Sequence, residues 1–206
     1  MGTVHIASTV IIRNNSILRN GEIVFQDEGL GNNFLLRAYE EGLKINYPKF
    51  YKMDALGKLG ILATDVLLKE SHITDNYQPE EVGIVLCNRN ASIQADRCYF
   101  ETAKTFPSPA LFVYTLPNIV IGEISIRYQF KGENAFFINE SFNAEWLHFY
   151  VNELVQHKNT KACICGWIEA VGDSFDVCLF LVESNETQKG LKFVPSEMDR
   201  MYNQTV

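Results

Sequence analysis

The fold turns on the run Thr115-Leu-Pro-Asn-Ile-Val-Ile-Gly-Glu-Ile-Ser-Ile-Arg-Tyr-Gln-Phe-Lys-Gly-Glu-Asn134, continued by Ala135-Phe-Phe-Ile-Asn-Glu-Ser-Phe-Asn-Ala144. Leu116-Pro-Asn opens it. Ile119, Ile124, Ile126 and Tyr128 then mix a helical period with strict alternation, which leaves that segment open between helix and strand. Ala135-Phe-Phe-Ile reads as a short buried strand and Asn139-Glu-Ser-Phe-Asn as a tight turn. Beyond the turn Leu147, Val151, Leu154 and Val155 share one helical face. The local order is strand, tight turn, helix.

Working outward, Val4 to Ile12 reads as a β-branched strand and Glu22-Ile-Val-Phe as a second, with Arg13-Asn-Asn-Ser as the turn signal between them. From Met53 to Leu68 the apolar positions Leu56, Leu59, Ala63, Val66 and Leu67 recur at helical spacing, with Asp54 in the first turn, where a negative charge suits the helix dipole. Val82-Gly-Ile-Val-Leu-Cys is a continuous apolar run of the kind a central strand needs when both its faces are covered. Phe106-Pro-Ser-Pro breaks the chain. Lys161 to Ile168 and Phe175 to Val182 are two further strands joined through Glu169-Ala-Val-Gly-Asp-Ser, and the polar tail after Glu183 is expected to fray. With no linker, repeat or low-complexity tract, alternation of strand and helix places the chain in the α/β class.

Composition agrees with a single packed domain: 206 residues, 47% hydrophobic and 21% charged, are enough for a sizeable core. No apolar run approaches the ~20 residues that span a bilayer, and no Arg/Lys-led signal peptide opens the sequence, so a cytoplasmic location without membrane contact is the expectation. The net charge of -7 argues against a nucleic-acid partner, because phosphate neutralisation needs a clustered Lys/Arg face. Cys87, Cys98, Cys163, Cys165 and Cys178 are odd in number and sit mostly in apolar strand-like runs, as buried reduced thiols do. Cys163 and Cys165 lack zinc spacing and a second ligand pair, so neither a metal nor a cofactor is expected.

The Leu116 to Asn134 stretch resembles the β-ketoacyl synthases of fatty-acid and polyketide assembly, in the thiolase-like superfamily. That family carries an "LPN, three residues, G-x-I-(A/S)-I-R, then K-G-P-N" block, and Leu116, Pro117, Asn118, Gly122, Ile126, Arg127, Gly132 and Asn134 fall in step with it without a gap. Lys52-Met-Asp resembles the family's "R-M-D" before its first long helix. Gly166 and Glu169, with the strand from Phe175, resemble its "G-G-x-E" turn and following strand. The resemblance runs, with gaps, from about the N-terminus to Glu183. It implies a thiolase-like α/β fold limited to the N-terminal half of a ketoacyl synthase, with a mixed central sheet flanked by helices. Residues 1–206 then form one truncated domain, core about 1–183 and polar tail 184–206.

The departures bear on chemistry. The family's nucleophilic cysteine lies nine residues past the first glycine of its "G-P-x" turn, and counting from Gly132 reaches Ser141. The resemblance places that position at the start of a helix, where backbone N–H groups and the dipole favour a thiolate or oxyanion. A serine hydroxyl has a far higher pKa than a thiol and needs an adjacent base. The family supplies its two histidines from the second half, which this sequence lacks. His5, His72, His148 and His157 are scattered, and His148 stands two helical turns beyond Ser141. Glu140, next to Ser141, points to the opposite face if the strand alternation continues. Asn139-Glu-Ser-Phe-Asn lacks both glycines of a hydrolase elbow.

Three readings stay open. The first is a non-catalytic subunit, like the chain-length factors of polyketide systems, that partners a complete 3-oxoacyl-carrier-protein synthase in fatty-acid, aryl polyene or polyketide biosynthesis. In it the resemblance makes Ala135, Phe136, Phe137, Ile138, Asn139 and Glu140 the dimer interface. Phe137, Phe142 and Trp146 then line the acyl tunnel, and an acyl carrier protein is met only indirectly, through the partner. Uncovered apolar surface, where a twin half would pack, gives such a half-fold a reason to associate. The second reading is a Ser141-dependent acyltransferase or thioesterase acting on carrier- or coenzyme-A-linked acyl groups. The third is a homodimeric acyl-binding module.

Overall fold

Two asparagine turns start the sheet. In the computed structural model, which describes residues 4–27, 33–184 and 190–204, Asn14 and Asn15 both have positive φ, as do Asn20 and Gly21. Such two-residue turns match strand twist and close tight hairpins. They join β1 (Val4–Arg13), β2 (Ser16–Arg19) and β3 (Glu22–Gln26), with Arg13 opposite Ser16 and Arg19 opposite Glu22. The excursion expected after the first strand is thus a three-stranded meander. The expected core and tail residues at 1–3, 28–32, 185–189 and 205–206 lie outside the described residues.

The chain continues through α1 (Phe34–Arg37), α2 (Ala55–Leu67), α3 (Ile73–Asn76) and β4 (Val82–Asn88). An excursion of three helices follows, α4 (Ile93–Ala103), α5 (Pro109–Val113) and α6 (Ile119–Tyr128). Then come β5 (Asn134–Ile138), α7 (Ala144–His157), β6 (Ala162–Val171), β7 (Ser174–Ser184), β8 (Leu191–Lys192) and α8 (Pro195–Tyr202). The sheet runs in the order β3-β2-β1-β7-β6-β4-β5, with β8 paired to the first residues of β1. Only β4 pairs in parallel, with β5 on one side and β6 on the other.

Helices cover both faces. On one, α2 and α6 bury Leu59, Leu62, Val120 and Ile124 against Ile84 and Leu181 of the sheet. That packing resolves the segment the sequence leaves open. Gly60 of α2 lies so close to α6 that an added Cβ would stand 2.2 Å from Val120 Cγ2, and only a helix at 119–128 presents Val120, Ile121 and Ile124 to it together. Asp54 caps α2, its carboxylate accepting from Gly57 N at 2.8 Å, one position earlier than the first-turn placement read from sequence. Gly166 holds β6 beside β7 at φ +145, where a Cβ would meet Cys178 O at 2.1 Å. All seven residues of β4 are buried. β5, expected to be buried, is instead an edge strand, half-buried at Ala135 to Phe137 and open at both ends, because among the described residues no strand pairs beyond it.

The other face carries the second correction. Residues 190–204 are packed rather than frayed: β8 lies on β1, and α8 buries Met198 and Met201 against α7 and the sheet. Tyr202 stacks on Phe142 at 4.4 Å and donates to the Asp176 carboxylate at 2.8 Å, while the Arg13 guanidinium lies over its ring. Two methionines three apart in a polar background make too weak a pattern to read from sequence. The outward positions of this layer, Glu145, Glu153, Gln156, Asp199 and Arg200, are polar, with Phe149 the apolar exception. The uncovered apolar surface expected of a half-fold is therefore not on this layer.

Four cysteines, Cys87, Cys163, Cys165 and Cys178, are buried in the sheet, and Cys98 is exposed on α4. Burial pushes the Cys87 and Cys178 thiols up to about 12, and Cys165 well above its ordinary value. A thiol held protonated is a poor nucleophile. Native protein treated with iodoacetamide at neutral pH is therefore expected to gain one adduct, at Cys98, and denatured protein five; a second native adduct would contradict the buried assignment. Met198→Ala is expected to cost about 2–4 kcal/mol in urea unfolding, the range for truncating a buried long side chain, whereas an unchanged midpoint would mean that α8 is not core.

Candidate functional site

Because β5 and β6 both run parallel to β4, their carboxyl ends converge, and open α/β sheets bind ligands outside such ends. Asn88 closes β4. It is fully buried, and its amide accepts from Ala91 N and donates to Ala91 O, both at 2.9 Å, which fixes the turn into α4. Glu169 reaches across from β6: one carboxylate oxygen accepts from Arg89 N at 2.9 Å and from Asn90 N and Nδ2 at 3.1 Å. The turn is thereby clamped from both sides. Asn139 N donates to Asn88 O at 2.8 Å, extending the β4–β5 ladder past Ile138. The side chain of Asn139 faces the Cys87 thiol, where its hydrogen bond opposes part of the burial that keeps that thiol protonated.

Ser141 follows in the bend between β5 and α7. It is exposed, and its hydroxyl makes no hydrogen bond among the described residues. The expected placement at the helix start shifts by two residues. Asn143 is the cap of α7, its side-chain oxygen accepting from Trp146 N at 2.9 Å, so the chain itself engages one of the four N–H groups that a helix start leaves free. Glu140 is exposed and makes no hydrogen bond to Ser141.

None of the four histidines stands in as a base. His148 turns its ring onto Phe193, with ring centroids 5.4 Å apart, and lines a cavity with Lys161 and Ser184 at the opposite end of β6 from Ser141. His72 is exposed beside Asp75, just before α3. His157 is the last residue of α7, paired with Glu153, and His5 lies in β1.

The aromatic residues expected to line a tunnel divide into two groups. Phe137 meets Trp146 at 4.6 Å and Tyr150 at 5.0 Å, an aromatic cluster where β5 and α7 meet. Phe142 lies apart, between Tyr202 and Phe180. Trp167, which stands where the resembled "G-G-x-E" turn has its second glycine, is 4% exposed. It is in register with Cys87, and Cys87 with Phe137; strand alternation puts all three on the α7 face.

A surface missed in the sequence lies at the same sheet end. Among the described residues Phe100, Phe106, Phe112, Val113 and Leu116 are exposed, Phe106 at 80%, all within the α4–α5 excursion. Tyr99 packs on Phe112 at 5.3 Å, and with Phe100 these rings line an open groove of about 660 Å³. The signal was the aromatic density around Phe106-Pro-Ser-Pro, read only as a break. No group of three or more His, Cys, Asp or Glu side chains among the described residues is arranged to hold a metal, and no described helix is long and apolar enough to cross a membrane.

No protein-family model and no curated protein matches the chain. Solved structures do. The ishigamide ketosynthase/chain length factor superposes with a TM-score of 0.63 at 18% identity, covering 92% of this chain and 64% of that one. A β-ketoacyl synthase from Burkholderia phymatum gives 0.58 at 10%, covering 90% and 60%. A ketosynthase (ApeO) in complex with its chain length factor (ApeC) from Xenorhabdus doucetiae gives 0.57 at 11%, covering 97% of this chain and 90% of that one. The chain thus spans less than two thirds of the first two and most of the third. With β4 parallel to both its neighbours and the Ser141 bend leading from β5 into α7, the chain has the mixed-sheet, thiolase-like fold of the ketosynthases and chain length factors.

Proposed function

We propose that this chain is a non-catalytic subunit that pairs with a complete β-ketoacyl synthase, and that the open edge of β5 is where the two meet. The single observation that carries the reading is the conjunction at that edge. The strand leading to the nucleophile position is unpaired on one side, Ile138 stands 52% exposed on it, and the nucleophile position holds Ser141 with no base beside it. A free edge offers a row of main-chain donors and acceptors to a partner strand. Ala135 to Glu140 form this interface, and the exposed Ile138 side chain is the apolar anchor on it. Several similar structures are ketosynthase complexes with chain length factors, and in another a ketosynthase is bound to an acyl carrier protein. In this reading the pathway is fatty-acid, aryl polyene or polyketide synthesis. The cluster of Phe137 and Trp146 borders the partner's acyl tunnel, whereas Phe142, packed between Tyr202 and Phe180, does not reach it. A net charge of -7 leaves the acidic carrier protein to dock on the partner.

Two experiments test the reading. Co-expression with a complete synthase from the same genome is expected to give a stable complex, with Ile138→Asp weakening it by about tenfold or more, as for a central interface anchor. Ile23→Asp, on the exposed far edge β3, is the control and is expected to leave pairing intact. A chain that stays monomeric beside every such synthase would sink the proposal. Separately, labelled acyl donors are expected to leave no adduct on the chain, and Ser141→Ala in the reconstituted pair to keep product output within about twofold. An adduct lost in Ser141→Ala would make the chain an acyltransferase instead.

A further inference from the structure

At the far end of the sheet from Ser141, a cavity of about 410 Å³ opens between the C-terminal half of α7, the first residue of β1, and β8. Its size falls in the range of small-molecule sites. Its lining is unusual for a chain of net charge -7: Lys161 just before β6, Lys192 on β8 and His148 on α7 face it, and among the described residues no acidic one does. Neither lysine forms an ion pair with any described residue. Both are exposed at the rim, where their charge costs little to maintain. Asn152, Gln156 and Ser184 add uncharged polar groups between them. Beneath, the wall is apolar: Phe193 is almost fully buried and carries the His148 ring, and Val4 and Val155 flank it.

We infer that this cavity is a binding site for a small organic anion, with a carboxylate or phosphate head held by Lys161, Lys192 and His148 and a short apolar body resting on Phe193, Val4 and Val155. Charge-assisted hydrogen bonds from converging cations are the strong kind. With no acid among the described lining residues, an anionic head supplies the opposite charge to these lysines. The site is separate from the β5 edge and does not depend on the pairing reading.

Titration of the intact protein with octanoate and with butyl phosphate, followed by calorimetry and amide chemical shifts, tests it. At least one anion is expected to bind saturably, with shifts centred on His148, Lys161 and Lys192, and to bind more weakly as salt is raised. Which head binds tells carboxylate from phosphate. Octanol, the same body without charge, is expected not to bind. The double variant Lys161→Gln, Lys192→Gln is expected to weaken binding by about tenfold or more, the loss of at least one charge-assisted contact. Both side chains are exposed, and Lys161 contributes to the fold through its backbone, donating to Glu81 O and accepting from Ser184 N at 2.8 Å, so the variant keeps the fold. No saturable binding of either anion, binding unchanged in the double variant, or equal binding of octanol would overturn the site.

Discussion

The pairing of β4 sets the arrangement of everything else. A strand paired in parallel on both sides requires a crossover for each neighbour, and each crossover returns the chain to the same end of the sheet. Here one crossover is the α4–α5–α6 excursion into β5, and the other is α7 into β6. Asn88, the Ser141 bend and Glu169 are therefore neighbours by topology before any side chain makes a contact. Complete burial of β4 on both faces keeps that geometry rigid, and the Asn88 and Glu169 clamps on the following turn extend the rigidity to the surface.

At that end Ser141 stands exposed in the bend, with no hydrogen bond to a base among the described residues. Asn143 caps α7 at Trp146 N, Trp167 is buried on the α7 face of the sheet, and Asn139 faces a thiol that burial keeps protonated. A hydroxyl without a base contributes little nucleophilicity at neutral pH. What remains in chemically useful form is shape: an unpaired strand edge, an aromatic cluster where β5 meets α7, and a ridge of exposed phenylalanines.

The sequence conveyed the central elements because their signals are local. The apolar run at Val82 to Cys87 and the helical spacing from Leu56 to Leu67 needed no tertiary knowledge, and the Leu116 to Asn134 block named the fold by resemblance. The segment at Ile119 to Tyr128 was undecidable alone, since its helix depends on Gly60 admitting Val120 from another element. β5 was misread as buried for a related reason: two phenylalanines facing opposite ways look like core, and edge position depends on which strand is absent beside it. Met198 and Met201 and the exposed rings from Phe100 to Phe112 were missed because their roles depend on distant residues. The same holds for the cavity with Lys161, Lys192 and His148, three residues that sequence separation hides from one another.

The open β5 edge has a consequence for the cell as well as for recognition. An unpaired strand with Ile138 exposed on it is also a template for promiscuous strand addition, and the β3 edge carries Ile23 and Val24 in the open. A copy made in excess of whatever covers it is a hazard to proteostasis. On the proposed pairing, selection should favour matched synthesis, by shared transcription or translation beside the counterpart, and should tolerate mutation least where an orphaned surface would cause aggregation.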